Sequence, residues 1–249
     1  MQVHILNRYT TATIVQGPSV REAVMEAVRR KKSLACADLK KKDLSELTLA
    51  GVNFNDAGLQ QVNLRGADLR KATLQRANLT EADLSEANLS GAGLQWANLN
   101  RATLYGADLS GADLLGSILR GADLRDAILE GVDLCGVGLD DVNLCRTRGL
   151  PVAPAISDLD GKILRAVQLG GGFDMSYWHQ DCGTTHCRAG WAITLARGAG
   201  KQLEDRYGSA VAGALIYAAS YPTLRVPNFT ASNKEALADM QARAKGTQE

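Results

Sequence analysis

Leucine recurs at every fifth position from Leu34 to Leu144, which makes 23 consecutive positions broken only by Phe54. A period of five fits neither the 3.6 residues per turn of an α-helix nor the two-residue alternation of a β-strand. The repeated segment must therefore bury its apolar side chains in a short-period solenoid, in which each repeat packs on its neighbours.

A second small apolar side chain stands two residues before most of these leucines. It is alanine in most repeats and valine in five of them, namely Val52, Val62, Val132, Val137 and Val142. Asp or Asn usually lies between the two apolar positions, and glycine often follows two residues after the leucine. Short polar residues and glycine favour turns. We therefore expect two inward side chains and one turn in every five residues.

The repeats Ala-Asn-Leu-Thr-Glu at 77–81 and Ala-Asp-Leu-Ser-Gly at 107–111 resemble those of the pentapeptide-repeat protein family. In that family four pentapeptides form one coil, and the coils stack into a right-handed quadrilateral parallel β-helix. The resemblance implies a mainly β solenoid in this segment, with the leucine and the small residue pointing inward.

The flanking sequences differ in composition and predict further parts. Val3–Leu6 and Thr10–Gln16 are rich in β-branched residues and predict a hairpin, and Ser19 can cap a helix over 20–31. Five helical segments follow a linker that contains glycine and proline. The predicted organisation is an N-terminal hairpin and capping helix (1–31), a β-helix (32–146), a linker (147–154) and an α-helical C-terminal domain (155–249).

Length and composition suit a soluble protein, since 249 residues carry 45% apolar side chains and a net charge of +1. No segment approaches the 18 or more apolar residues of a membrane span, and Met1–Gln16 lacks the apolar core of a secretory signal. We therefore expect a cytoplasmic protein without a membrane partner. Its five cysteines are expected to be reduced thiols.

The small net charge conceals a strong segregation. Residues 1–42 contain nine basic and three acidic side chains, whereas residues 78–145 contain three basic and eleven acidic ones. The basic runs at 29–32 and 40–42 are interpreted as a solvated rim around the capping helix, so no direct nucleic-acid contact is expected. The acidic charge belongs to the second half of the repeat.

Residues 20 apart should lie above one another in a four-sided coil, so outward positions form columns. Asp43, Asp83 and Asp123 share one column, Asp68 and Asp108 a second, and Asp113 and Asp133 a third. An acidic array of this kind can imitate the phosphates of DNA. The predicted partner-binding residues are Asp83, Asp108, Asp113, Asp123, Asp126, Glu130, Asp133, Asp140 and Asp141.

The family resemblance gives this array a function, because pentapeptide-repeat proteins that bind DNA gyrase, the quinolone-protection group among them, are described as duplex-DNA mimics. It implies a non-enzymatic protein that docks into the DNA groove of a type II topoisomerase such as gyrase. Two departures from that group are visible here. The acidic residues occupy only half of the repeat, and the repeat contains no inserted loops.

An alternative function starts from apolar side chains at outward positions. Trp96, Leu115 and Ile118 are expected to crowd onto one face together with Cys135, and Gly116 should leave the Trp96 ring uncovered. Exposed apolar groups mark a contact surface. The contact could be the C-terminal domain, a second copy of the chain in a homodimer, or another protein. A structural or assembly module, such as one from a phage, would use this surface.

A third hypothesis rests on the C-terminal domain, where His179, Cys182, His186 and Cys187 fall within nine residues. Thiolate and imidazole groups are zinc ligands, but the spacing lacks the separated pairs of established zinc motifs. Cys187 could instead be a nucleophile with His179 or His186 as its base. The favoured interpretation is a structural turn, with no catalytic residue and no cofactor. The 179–191 stretch also resembles a C-terminal domain that accompanies pentapeptide repeats in phage and bacterial proteins.

Overall fold

The computed structural model describes residues 2–166, 188–229 and 231–246. The chain divides into two compact units. The repeat unit contains the described residues up to Val137 together with Arg146–Leu150. The helical unit contains Gly138–Cys145 and the described residues from Pro151 onward.

The N-terminal segment forms a β-hairpin followed by a helix, and the second strand begins at Thr13, three residues later than the sequence pattern indicated. Strands β1 (Val3–Leu6) and β2 (Thr13–Gly17) pair antiparallel, and helix α1 spans Val20–Arg29. The Ser19 hydroxyl accepts a hydrogen bond from the Glu22 amide at 3.2 Å and so caps α1. The helix packs against the hairpin.

The hairpin continues into the first coil of the solenoid. Asn7 bridges Ala37 in antiparallel fashion, and the Asp38 amide donates to the Leu6 carbonyl at 2.8 Å. These bonds pair backbone groups that an uncovered end of a β-solenoid would leave exposed. The sequence predicted that α1 would cover this end, but in the structure the hairpin forms the backbone pairing.

The solenoid is a ladder of parallel bridges between residues 20 apart, beginning with Asp38–Gly58 and ending with Ile128–Arg148. Each coil therefore contains four pentapeptides. Within the described residues, the named strands are β1 and β2, whereas every bridge of the parallel ladder is isolated. We call the bridged residue between the two inward positions of each repeat the rung residue. The chain turns after each rung residue, so no segment of the described ladder is extended for long enough to count as a strand. The predicted β-helix is thus correct, although extended strands contribute little to it.

Each turn has the same backbone geometry. The residue two after the leucine has a positive φ, for example 60° at Trp96 and 63° at Gly111, and the amide after it donates back to the leucine carbonyl. This is the pattern of a type II turn, which needs a left-handed residue at its third position. The rung Asp or Asn also accepts from the amide two residues later, as Asp83 does from Ser85 at 2.9 Å.

The inward leucines and alanines form a continuous apolar core. The leucines at every fifth position from Leu34 to Leu144, and Phe54 in the same series, are at most 5% exposed. Burial of one leucine side chain contributes about 2 kcal/mol to folding, so the ladder supplies the stability of a full domain. At the inward position of residue 117 a serine replaces alanine, and its buried hydroxyl has no hydrogen-bond partner among the described residues.

The helical unit contains five helices in its described residues. They are α2 (Leu159–Ala166), α3 (Arg188–Leu195), α4 (Arg197–Tyr207), α5 (Ser209–Ser220) and α6 (Asn233–Gly246). Helix α5 lies at the centre and packs against α3 and α4, while α2 packs against α6. Seven consecutive residues of α5, Val211–Tyr217, are buried, as expected for a helix that is apolar on all sides.

Candidate protein-binding surface

The acidic residues stack in the predicted columns. Bridges connect Asp43 through Asn63 to Asp83, and through Thr103 to Asp123. These five rung positions therefore form one line across successive coils. A second line joins Asp68 to Asp108 through Asn88, by the bridges Asp68–Asn88 and Asn88–Asp108.

Three acidic residues in the first half of the repeat have basic partners, whereas Asp38 and Glu46 have no ion pair among the described residues. Arg76 donates two hydrogen bonds of 2.8 Å to Asp56, and Arg70 holds Asp68 with a contact of 2.7 Å. Hydrogen bonding from the arginine lowers the pKa of both carboxyl groups. Further pairs are Arg65–Glu86, Arg101–Glu81 and Arg21–Asp43. Glu81 and Glu86 already belong to the second half, so three of the five acidic side chains between residues 38 and 77 are paired.

The second half differs, and its predicted partner-binding residues divide into three groups. Asp123 is paired with Arg125 and Asp126 with Arg146, each through a 2.6 Å contact, and the Arg146 hydrogen bonds lower the pKa of Asp126. Asp140 and Asp141 belong to the helical unit, where the Asp140 carboxylate accepts from the Phe229 amide at 3.2 Å. The third group of these predicted residues has no ion pair among the described residues and consists of Asp83, Asp108, Asp113, Glu130 and Asp133.

The ladder is interrupted between Asp113 and Asp133. In the earlier coils of this column the equivalent amides donate to the next coil, as Leu94 does to Asp113 at 2.8 Å. The Leu114 amide makes no such bond to the Asp133 carbonyl. Among the described rung positions between 38 and 148, position 133 is the one without a bridge. A cavity of about 340 Å³ opens here, which we call the notch. It is lined by Ala112, Asp113, Leu115, Gly131, Asp133 and Cys135.

The interruption coincides with like charges in adjacent coils. Elsewhere along the columns Asn, Thr, Gly or Ile separates the aspartates, whereas Asp113 and Asp133 occupy adjacent coils of one column. Rungs of a β-ladder lie about 4.8 Å apart, so two ionised carboxylates stacked there repel each other. Asp113 accepts a 2.6 Å bond from the neutral Gln95 amide, which orients the carboxylate without neutralising it.

Trp96 forms an apolar platform beside this column. Its backbone amide donates to the Leu115 carbonyl at 2.9 Å, and its ring lies against Gly116 in the next coil, where an added Cβ would clash with the ring. The opposite ring face is open, since Trp96 is 63% exposed and Leu115 is 50% exposed. Ile118, 46% exposed, belongs to the neighbouring column through its bridge to Asn98. The apolar groups thus lie on both sides of a turn. The sequence pattern had placed them on one face.

Sequence reasoning missed the notch and the role of Gln95. The valines at 132, 137 and 142 were a usable signal, because a bulkier inward residue enters three successive repeats of the last coil. Val132 is only partly buried, unlike the inward alanines before it. Recognising that Asp113 and Asp133 occupy adjacent coils, with no coil between them, would have located the gap.

The helical unit contains a buried ion cluster that the sequence did not predict. Arg188 is 1% exposed and bonds the fully buried Asp160 at 2.7 Å and Asp239 at 2.6 Å. The Tyr217 hydroxyl donates to Asp160 at 2.8 Å, and the Arg188 guanidinium lies 4.9 Å from the Tyr217 ring centroid. Burial raises the pKa of Asp160, although Arg188 opposes this effect. Arg188 and Tyr217 both bond Oδ1 of Asp160, whereas its buried Oδ2 has no hydrogen-bond partner among the described residues.

The proposed zinc ligands His179, Cys182, His186 and Cys187 lie outside the described residues, so the zinc and nucleophile hypotheses stay predictions. Among the residues that the structure describes, no group of three or more His, Cys, Asp or Glu side chains is placed to hold a metal ion. The described cysteines Cys36, Cys135 and Cys145 are free thiols. Within the same ranges, none of the helices has both the length and the apolar character needed to span a bilayer.

A ladder with a 20-residue coil, built from five-residue turns, defines a β-helix solenoid with a separate helical part. The family model for pentapeptide repeats, with eight copies, matches residues 33–70, 67–106 and 102–141. The chain belongs to the pentapeptide-repeat family. A search of curated proteins finds no match.

Three solved structures are similar to parts of this chain. A pentapeptide repeat protein of the Arabidopsis thaliana thylakoid lumen is 31% identical over 53% of this chain and 74% of its own, with a TM-score of 0.32. One from Nostoc PCC 7120 is 33% identical over 48% of this chain and 94% of its own, with a TM-score of 0.37. QnrB1, a plasmid-mediated fluoroquinolone resistance protein, is 19% identical over 47% of this chain and 72% of its own, with a TM-score of 0.28.

Proposed function

We propose that this chain is a non-enzymatic binding protein, a right-handed quadrilateral β-helix whose acidic second half imitates duplex DNA toward a DNA-binding enzyme such as DNA gyrase. One observation carries the proposal. The predicted partner-binding residues Asp83, Asp108, Asp113, Glu130 and Asp133 have no cationic partner among the described residues, against two such acids, Asp38 and Glu46, in the first half of the repeat. A field of uncompensated carboxylates attracts a groove that normally binds phosphates.

The rigidity of the scaffold supports this role. Each rung carboxylate is fixed by the amide two residues later, as in Asp108 at 2.9 Å and Asp133 at 3.0 Å. Such a charge array needs little ordering when it binds, which favours affinity. A chromosomal enzyme as partner places the interaction in the cytoplasm.

A supercoiling assay with purified DNA gyrase tests the proposal. We expect micromolar protein to inhibit supercoiling, and the inhibition to weaken as salt screens the charges. The triple variant Asp108→Asn, Asp113→Asn, Asp133→Asn should lose most of the inhibition. Its matched control Asp38→Asn, Asp43→Asn, Glu46→Gln removes three charges from the first coils and should retain it.

Absence of both inhibition and binding at micromolar protein would refute the gyrase proposal. The second candidate is an assembly module, of phage or bacterial origin, and it is favoured by the exposure of Trp96, Leu115 and Ile118. Stable homodimers or co-purifying proteins, without any effect on a topoisomerase, would support this candidate instead.

A further inference from the structure

We infer that the notch between Asp113 and Asp133 binds an arginine side chain of the partner protein, and that Trp96 and Leu115 receive the apolar residues beside that arginine. The inference deepens the proposed function and rests on it for the existence of a protein partner. It adds the chemistry of one anchoring contact.

Charge complementarity selects a cation. The two exposed carboxylates are stacked in adjacent coils, and neither has an ion pair in the part of the chain that the structure describes. Two like charges in adjacent coils raise each other's electrostatic energy, and a cation between them lowers it. Gln95 and the Cys135 amide, both neutral donors, hold the carboxylates in place at 2.6 Å and 3.0 Å.

The shape of the opening favours arginine over lysine or a metal ion. The guanidinium group is planar and donates parallel hydrogen bonds to carboxylates, so one side chain can serve both aspartates. The cavity of about 340 Å³ is also lined by Ala112, Leu115 and Gly131, which offer an apolar wall to the methylene stem of the side chain.

The surrounding surface provides the remainder of a protein contact. Trp96 presents one free ring face because Gly116 supports the other, and Leu115 projects beside the opening. Interface hot spots commonly combine an aromatic anchor with a buried arginine contact. A basic segment with apolar residues next to its arginine would satisfy the carboxylates and both apolar side chains together.

A short synthetic peptide tests this inference without any topoisomerase. The probe is acetyl-Leu-Arg-Leu-amide, and its control is the same peptide with citrulline, which has nearly the same shape but no charge. Titration followed by NMR chemical shifts should show saturable binding of the arginine peptide and at least tenfold weaker binding of the citrulline peptide.

The variant Asp113→Asn, Asp133→Asn should lose at least tenfold in affinity for the arginine peptide. Asp38→Asn, Asp43→Asn removes the same charge at the same rung position of other columns and should change affinity less than twofold. Asparagine already occupies rung positions in several coils, so both variants should fold, and thermal melting verifies this. Equal losses in the two variants, or equal binding of both peptides, would overturn the inference. If the protein has no effect on gyrase but still binds the arginine peptide more tightly than the citrulline peptide, the inference about the notch stands and the gyrase proposal is refuted.

Discussion

The repeat unit and the helical unit are stabilised by different kinds of contact. In the repeat unit many leucines make equivalent contacts, and the polar rung residues are satisfied locally at the surface. In the helical unit one buried arginine joins residues from three other helices, namely Asp160, Tyr217 and Asp239. Distributed stability leaves outward positions of the repeat free to vary for binding, whereas the helical unit depends on a few particular side chains.

The largest expected effect is loss of the charged centre of the helical unit. Arg188→Met would leave Asp160 buried without a cation and should destabilise the helical unit by about 3–5 kcal/mol. Denaturant unfolding of the full chain, followed by circular dichroism at 222 nm, measures the change. The double variant Arg188→Met, Asp160→Asn removes both charges and should recover much of the loss. A single variant within 1 kcal/mol of the native protein would show that the two units do not differ in this way.

A medium effect is expected at two glycines of the repeat unit that share one turn position. Gly111 and Gly116 have φ values of 63° and 66°, but only Gly116 lies against Trp96. Alanine at either position should cost about 1–2 kcal/mol from the left-handed backbone. Gly116→Ala should cost a further 1–2 kcal/mol or so because its methyl group displaces the indole ring. Urea unfolding of both variants gives the difference.

That difference should vanish in a Trp96→Ala background, where the added methyl group meets no ring. A persistent difference would mean that the backbone near residue 116, and not the platform, is sensitive. Either result sharpens the contrast between equivalent repeats and the few positions at which one repeat has been specialised.

The smallest expected effect is a pH dependence of opposite sign in the two units. Hydrogen bonds from Arg76 and Arg70 lower the pKa of Asp56 and Asp68, so their contribution is present above the unfolded pKa near 4 and is lost as the pH falls through the lowered value. Burial raises the pKa of Asp160, so its contribution is greatest below pH 4 and is lost as the pH rises through the raised value. Both pairs are exposed to solvent, so their contribution to stability is small.

Thermal melting between pH 7 and pH 3 measures these slopes. The variant Arg70→Ala, Arg76→Ala should reduce the acid sensitivity of the repeat unit without altering that of the helical unit. An unchanged slope would indicate that other carboxyl groups determine the acid response.

Most of the fold could be predicted from the sequence because each residue type recurs in one structural role. Leucine every five residues located the inward positions, the family resemblance implied four repeats per coil, and Ser19 located the start of α1. The helices of the second unit followed from apolar spacing and from glycines such as Gly208.

The notch and the ion cluster could not be predicted in the same way, since each depends on pairwise contacts. Whether an aspartate is compensated depends on which arginine rotamer reaches it, as Arg146 reaches Asp126 one coil away. The burial of Arg188 depends on the packing of α2, α5 and α6, and periodicity alone would place a charged residue in solvent.

The left-handed turn residues have an evolutionary consequence. Fourteen of the 23 turn positions hold a residue other than glycine at positive φ, including lysines, glutamates and Trp96. Glycine would adopt this conformation with less strain, so each of these side chains persists against a conformational cost. Variation among homologues at these corners would therefore record selection for what the molecule binds, whereas variation at the inward positions would record selection for folding.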